Sequence, residues 1–195
     1  MSFDLYIKNM FKKAAKESKG FYHQKGSIQA YWERKHKDYV VEFLKDRNIS
    51  GIILELGCGN GSFACELMDK CNVQVVAMDS VLEMVKLVPK KLIRVVGDAR
   101  NLPFKKRAFY AVTMMELLQH LKPSQQIKVL MEATRCTMRY VIFQYLDIKS
   151  PLYWVIIIYH IVRDGKFWLV ASSINKLKYG FNAVSYTHLT LPTKA

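Results

Sequence analysis

Between an apolar run and an amphipathic one, the chain carries Glu55-Leu56-Gly57-Cys58-Gly59-Asn60-Gly61, with glycine at every second position from 57 to 61. Glycines so spaced let a backbone turn sharply and approach a ligand with no Cβ in the way. The residues before them, Gly51 to Leu56 (GIILEL), form a short continuous apolar run that reads as a strand buried on both faces. The residues after them, Ser62 to Lys70, read as a helix whose first N–H groups would face the same loop. A strand buried on both faces requires a parallel sheet covered by helices on each side.

The rest of the chain repeats that alternation. Val73 to Met78 reads as a strand feeding a helix at Val81 to Val88, followed by Pro89. Ile93 to Val96 is a third strand, ended by Gly97-Asp98. Phe109 to Met114 is a fourth, feeding helical residues Glu116 to Leu121 and Gln125 to Arg135, and Tyr140 to Leu146 is a fifth. Ahead of the first strand, Ile28, Tyr31, Trp32, Tyr39, Val40, Phe43 and Leu44 recur at mostly helical spacings, so Ser27 to Lys45 is expected to be an amphipathic helix or helix pair. Beyond Asp147, Pro151 to Val162 is expected to be a helix and Phe167 to Ala171 a strand. The pattern predicts an α/β chain with a Rossmann-like, doubly wound, mostly parallel sheet. Residues 1–48 would form a helical cap segment and 49–183 the ligand-binding domain.

Composition sets the outer limits. At 195 residues and 51% hydrophobic, the chain is sized for one domain with a real core. Thirty basic against 16 acidic residues give +14, which favours anionic partners or surfaces without bearing on fold. Residues 51–100 are the exception, with six of each sign, and they hold the glycine loop. Cys58, Cys65, Cys71 and Cys136 make no C-x-x-C pair and have no histidine at ligand spacing, so neither a disulfide framework, a zinc site nor any other metal is expected. A reducing, cytoplasmic setting follows. The first residues are too interrupted by charge for a signal peptide. The apolar run from Leu152 to Val162 falls short of the roughly 20 residues of a membrane span. That excludes a transmembrane helix and leaves peripheral contact with lipid open.

The last twelve residues, Val184 to Ala195 (VSYTHLTLPTKA), do not continue the preceding pattern and resemble a translated sequencing-library adapter. They are set aside from fold reasoning as a tag would be. The expectation is that the natural sequence breaks off at about Ala183 and that the domain is truncated. The alternative is a genuine short strand with a polar tail.

In a doubly wound sheet the ligand lies beyond the carboxyl ends of the strands, where the topology reverses. Those ends are polar here. Met78-Asp79-Ser80 follows the second strand, and a carboxylate at 79 can accept both hydroxyls of a ribose. Gly97-Asp98-Ala99 follows the third, offering an acceptor for an exocyclic amine such as that of adenine. Each aspartate could instead cap a helix. The glycine spacing is G-x-G-x-G rather than G-x-G-x-x-G, and no Lys-Ser/Thr follows, which weakens a dinucleotide reading and removes a nucleoside-triphosphate one.

At this point the sequence resembles the class I S-adenosylmethionine-dependent methyltransferases over about Ile52 to Leu146. ELGCGNG is similar to their first motif, VVAMDS to the second, VVGDARNLPF to the third and FYAVTMMELLQHL to the fourth-strand motif. The resemblance implies that Gly57 and Gly59 lie against the methionine part of the cofactor and that Glu55 orients its amino group. Asp79 would bind the ribose hydroxyls, and Ser80 and Leu82 would lie near the adenine. Asp98 and the Ala99 backbone would read the adenine amine, and Met114, taken as the first residue after the fourth strand, would face the sulfonium. Tyr110 stands where the family often has aspartate. In the family an antiparallel pair of strands after the fifth completes the sheet.

The implied reaction is direct displacement, in which an acceptor atom attacks the methyl carbon and the protein holds the reacting atoms in line. His120 stands where related enzymes often carry a histidine near the acceptor, though a satisfied helix-end histidine reads as well. Cys58 reads as an apolar filler rather than a nucleophile. Tyr22, His23, Tyr31 and Trp32 could cap an acceptor pocket or belong to the core. Lys105-Lys106-Arg107 with Lys90-Lys91 could meet phosphates or simply be solvated. The leading expectation is methyl transfer to a small, apolar or lipid-like acceptor. The alternatives are an RNA methyltransferase, which the charge favours, and a non-catalytic cofactor-binding protein. No Asn-Pro-Pro-Tyr type motif follows strand four, where Met114-Met115-Glu116-Leu117 stands, which lowers amino-group methylation of nucleobases or glutamine.

Overall fold

A computed structural model describes residues 2–16 and 28–144. Its elements run α1 (Phe3–Lys16), α2 (Ile28–Lys45), β1 (Ile52–Leu56), α3 (Ser62–Cys71), β2 (Gln74–Asp79), α4 (Leu82–Leu87), β3 (Ile93–Val96), β4 (Phe109–Met114), α5 (Pro123–Cys136) and β5 (Thr137–Phe143). The five strands pair in parallel in the order β3-β2-β1-β4-β5. The order reverses between β1 and β4, which opens a crevice at their carboxyl ends. This is the doubly wound α/β sheet that the alternating apolar runs require.

The central strands divide their side chains between two cores. Ile53, Val75, Ala77 and Ala111 meet Val40, Val41 and Leu44 of α2 and Phe63, Ala64 and Leu67 of α3. Leu54, Leu56, Val76, Met78, Val112 and Met114 meet Val129, Leu130, Ala133 and Cys136 of α5. Two-sided burial explains why these strands read as continuous apolar runs. Arg34 ties α2 to α3 by pairing with Asp38 of its own helix and Glu66 of α3.

Three expectations change. Glu116 to Leu121 is not a helix: Glu116 takes a left-handed conformation (φ 61°), which breaks the helical path, and only Leu118–His120 forms a single 3-10 turn. The buried Gln126 amide holds that turn by donating to the carbonyls of Leu118 (2.8 Å) and Leu121 (3.0 Å). The fifth strand starts at Thr137 rather than Tyr140, because α5 passes straight into β5 with no intervening turn. Met114 ends β4 instead of following it.

All four cysteines are free thiols. Among the described residues no helix is long and apolar enough to cross a membrane, and no three metal-binding side chains cluster. The expectations for Pro151–Val162, Phe167–Ala171, Val184–Ala195, Tyr22 and His23 lie outside the described residues, as does the side chain of Trp32.

Candidate active site

The crevice is built on the loop after β1. Gly57, Gly59 and Gly61 all have positive φ (70°, 54° and 78°). Two of them are also needed for room. A Cβ on Gly57 would meet the side chain of Leu117 at 3.0 Å, and one on Gly61 would meet Val88 Cγ1 at 2.9 Å. The loop is stitched to β2, since the N–H groups of Gly57 and Cys58 both donate to the Met78 carbonyl, at 2.9 and 3.1 Å.

Asp79, the last residue of β2, closes the loop from the other side. Its Oδ2 accepts the Gly59 N–H at 3.0 Å and its Oδ1 accepts the Val81 N–H at 2.9 Å. Burial raises its pKa, and the backbone N–H groups work against that shift. A carboxylate has about four acceptor sites, so Asp79 keeps capacity for a further donor beyond these amides. Ser80 beside it is exposed, as is Leu82 at the start of α4.

Glu55 sits one strand over, 2% exposed, aligned with Ala77 of β2 and Thr113 of β4. Among the described residues only the Thr113 hydroxyl donates to it, at 3.4 Å. Burial pushes its pKa up to about 8, against the opposing charge of Lys37 on α2 and the Thr113 hydrogen bond. A buried carboxylate with one long hydrogen bond is costly unless a cation arrives to partner it. Cys58, in the same loop, has its thiol pushed up by burial and by the charges of Asp79 and Glu55, so it stays protonated and un-nucleophilic.

Asp98 follows β3 and is held by its neighbour Arg100. The guanidinium Nε donates to Oδ1 at 2.9 Å and Oδ2 at 3.0 Å, and Nη2 donates to Oδ2 at 2.7 Å. The Arg100 hydrogen bonds keep the Asp98 pKa low. The Gly97 N–H donates to the Asp79 carbonyl (3.0 Å), which ties the Gly97-Asp98-Ala99 turn to the end of β2.

His120 lies on the 3-10 turn with its Nδ1 buried and unpartnered, and Phe11 of α1 meets its ring edge-on at 5.1 Å. Burial lowers its pKa to about 4, so it is neutral at pH 7. Met114 is fully buried in the core between the sheet and α5, packed with Leu54, Leu56 and Met78, rather than turned toward open space.

The strand ends thus bring Glu55, Gly57, Gly59, Asp79, Asp98 and Ala99 to one edge of the sheet, and Met114 ends β4 at the same edge with its side chain buried in the core. Sequence reasoning singled out neither Thr113, Arg100 nor Gln126, and within the expected helical cap segment 1–48 it did not single out Asp4 or Phe11 of α1. Arg100 carried a local signal, standing two residues after an aspartate in a turn. Of the residues expected to cap the pocket, Tyr31, on α2, is 57% exposed, and among the described residues α1 reaches the edge through Asp4 and Phe11.

A glycine loop clasped by one strand-end carboxylate, with a second buried beside it, defines a nucleoside-binding protein of the doubly wound type, its crevice at the β1/β4 reversal. Comparison with known proteins makes that more particular. Residues 53–139 match the family described as a methyltransferase domain. No curated protein matches the sequence. Among solved structures, magnesium protoporphyrin IX methyltransferase from Synechocystis with bound SAH is similar at a TM-score of 0.72 and 16% identity, over 90% of this chain and 86% of that one. The PH0226 protein of Pyrococcus horikoshii is 25% identical, with a TM-score of 0.57 over 75% of this chain and 67% of its own. A SAM-dependent methyltransferase of Thermotoga maritima, described as a possible histamine N-methyltransferase, gives a TM-score of 0.63 at 19% identity, over 88% and 79%.

Proposed function

We propose that the chain binds S-adenosylmethionine along the carboxyl edge of its sheet and transfers the methyl group to a small acceptor. The observation that carries this is the clasp of Asp79 on Gly59 and Val81, which holds a strand-end carboxylate beside the glycine loop, where it would meet a ribose. The buried Glu55 supports it, since its one long hydrogen bond leaves acceptor capacity that suits the ammonium of the methionine portion. Asp98 and the Ala99 backbone would take the adenine amine, and Ser80 and Leu82 would flank the ring.

The cofactor supplies an electrophilic methyl on a sulfonium. The chain's part is to hold the two reacting partners in line and to exclude water. Glu55 and Asp98 would hold the two ends of the cofactor and Asp79 its ribose, and the glycine loop would let the backbone lie against its methionine part. His120, neutral at pH 7 and packed edge-on with Phe11, would be the group to take a proton from an acceptor that must lose one, against the burial that opposes its charged form.

A small acceptor is favoured over RNA by where the charges stand. Lys90-Lys91 precede β3 and Lys105-Lys106-Arg107 precede β4, so in this all-parallel sheet both runs lie at the edge opposite the crevice. Lys91 is also paired with Asp69 at 2.8 Å. At the crevice itself, α1 lays Phe11 over His120 and so narrows the approach. The test is methyl transfer from labelled S-adenosylmethionine to a panel of small apolar acceptors beside total RNA. Turnover of a small acceptor is expected; labelling of RNA alone would reverse the assignment, and cofactor binding with no transfer to any acceptor would favour a non-catalytic role.

A further inference from the structure

Helix α1 meets the crevice by two kinds of contact. On its apolar side Phe11, Ala14 and Ala15 pack with Val81 and Met84 at the start of α4. In its first turn, Asp4 Oδ2 accepts hydrogen bonds from Arg100 Nη1 and from Gln125 Nε2, both at 2.8 Å. Arg100 is therefore shared. Its Nε and Nη2 face Asp98 while Nη1 faces Asp4, 96 residues away in sequence. A planar guanidinium can hold two carboxylates at once in fixed directions, which a lysine ammonium on a flexible stem does less well.

We propose that Arg100 is a positioning residue that couples occupancy of the nucleoside site to docking of α1. The inference rests on the reading of Asp98 as the partner of the adenine amine. As it stands, the Asp98 side chain is 43% exposed and that of Arg100 27%. A ligand seated on Asp98 covers the pair and lowers the local dielectric, so the charges hold each other more firmly. Arg100 is then fixed in the orientation that presents Nη1 to Asp4. Asp4 is itself 37% exposed, so its pairing alone holds this end of α1 weakly, beside the apolar contacts of Phe11, Ala14 and Ala15. Linkage makes the effect reciprocal: whatever factor the ligand adds to α1 docking, docked α1 adds to ligand affinity. Lys8, on the inner turn of α1, adds its charge to the field at Asp98 and acts in the same direction.

The test uses the full chain with S-adenosylhomocysteine as the probe. Amide hydrogen exchange is followed over residues 3–16 with and without it, and its affinity is measured for wild type, Asp4→Asn, Arg100→Lys and the double variant. Thermal melts confirm that each is folded. The ligand is expected to slow exchange of α1 in wild type and not in Asp4→Asn. Asp4→Asn is expected to weaken binding about fivefold, at the low end of couplings between linked sites. In the Arg100→Lys background the same substitution is expected to cost nothing further, because the bridge is already gone. Tight binding with unchanged α1 exchange, or losses that add in the double variant, would overturn the coupling while leaving the cofactor site intact. Absence of binding by wild type would overturn the cofactor reading and the coupling with it.

Discussion

Asp79 accepts the Gly59 amide at 3.0 Å, so the end of β2 and the loop after β1 form one rigid unit. The contact joins two segments that any ligand in the crevice must touch together. It also means that Asp79→Ala removes a structural contact together with the binding group, so folding has to be checked beside affinity. Asp79→Asn, which keeps one acceptor oxygen, loses the charge while retaining part of the clasp.

Glu55 sets a pH dependence whose sign follows from burial. Its pKa is about 8 in the fold against an ordinary value of 4.5, so the folded chain holds a proton that the unfolded chain releases. The stabilisation is full below pH 4.5 and is lost as pH rises through about 8. Glu55→Gln removes that slope. The variant is expected to match wild type near pH 5 and to exceed it by about 1 to 3 kcal/mol at pH 8, measured by urea denaturation of the free protein. Its affinity for S-adenosylhomocysteine is expected to fall at least about tenfold, since an amide offers the ammonium no charge. A flat difference in stability between pH 5 and 8 would contradict this account of Glu55.

Gly61→Ala tests the loop without touching a charge. The alanine would sit at φ 78° with its Cβ 2.9 Å from Val88 Cγ1. The left-handed conformation costs about 1 to 2 kcal/mol and crowding of a packed site about 1 to 3 more. A loss of about 2 to 5 kcal/mol is expected in denaturant unfolding, and a neutral result would mean that the loop relaxes freely.

His120 works in the opposite pH direction from Glu55. Its folded pKa, about 4, lies below the ordinary 6.5, so the unfolded chain takes up a proton that the fold refuses. Stability is therefore lost as pH falls from about 6.5 toward 4, by up to about 3 kcal/mol. His120→Phe removes this component and also the buried, unpartnered Nδ1. The variant is expected to be at least as stable as wild type at pH 7 and clearly more stable at pH 4.5. If its acid unfolding coincides with that of wild type, the imidazole is not buried in solution.

The sheet was legible because two-sided burial writes itself as continuous apolar runs. Four of the strands start or end within a residue of where Gly51–Leu56, Val73–Met78, Ile93–Val96 and Phe109–Met114 place them. The clustering of Glu55, Asp79 and Asp98 at one edge was legible for the same reason, since each follows or ends such a run. What failed were features with no local signature. Leu117, Leu118 and Leu121 have helical spacing, yet Leu117 is drawn down onto Gly57 and Glu116 turns left-handed above it. Met138 and Arg139 are exposed, so the start of β5 does not look apolar. The bridge from Asp4 through Arg100 to Asp98 spans nearly a hundred residues, and no periodicity records a contact of that range.

The most direct test of the central claim is calorimetric titration of S-adenosylhomocysteine into the wild-type chain and into Asp79→Ala, both checked for folding by circular dichroism. The account predicts one-to-one binding to wild type, weakened in the variant by about 2 to 4 kcal/mol, roughly 30-fold or more. No heat of binding with folded wild type, or equal affinity in the two proteins, would contradict it.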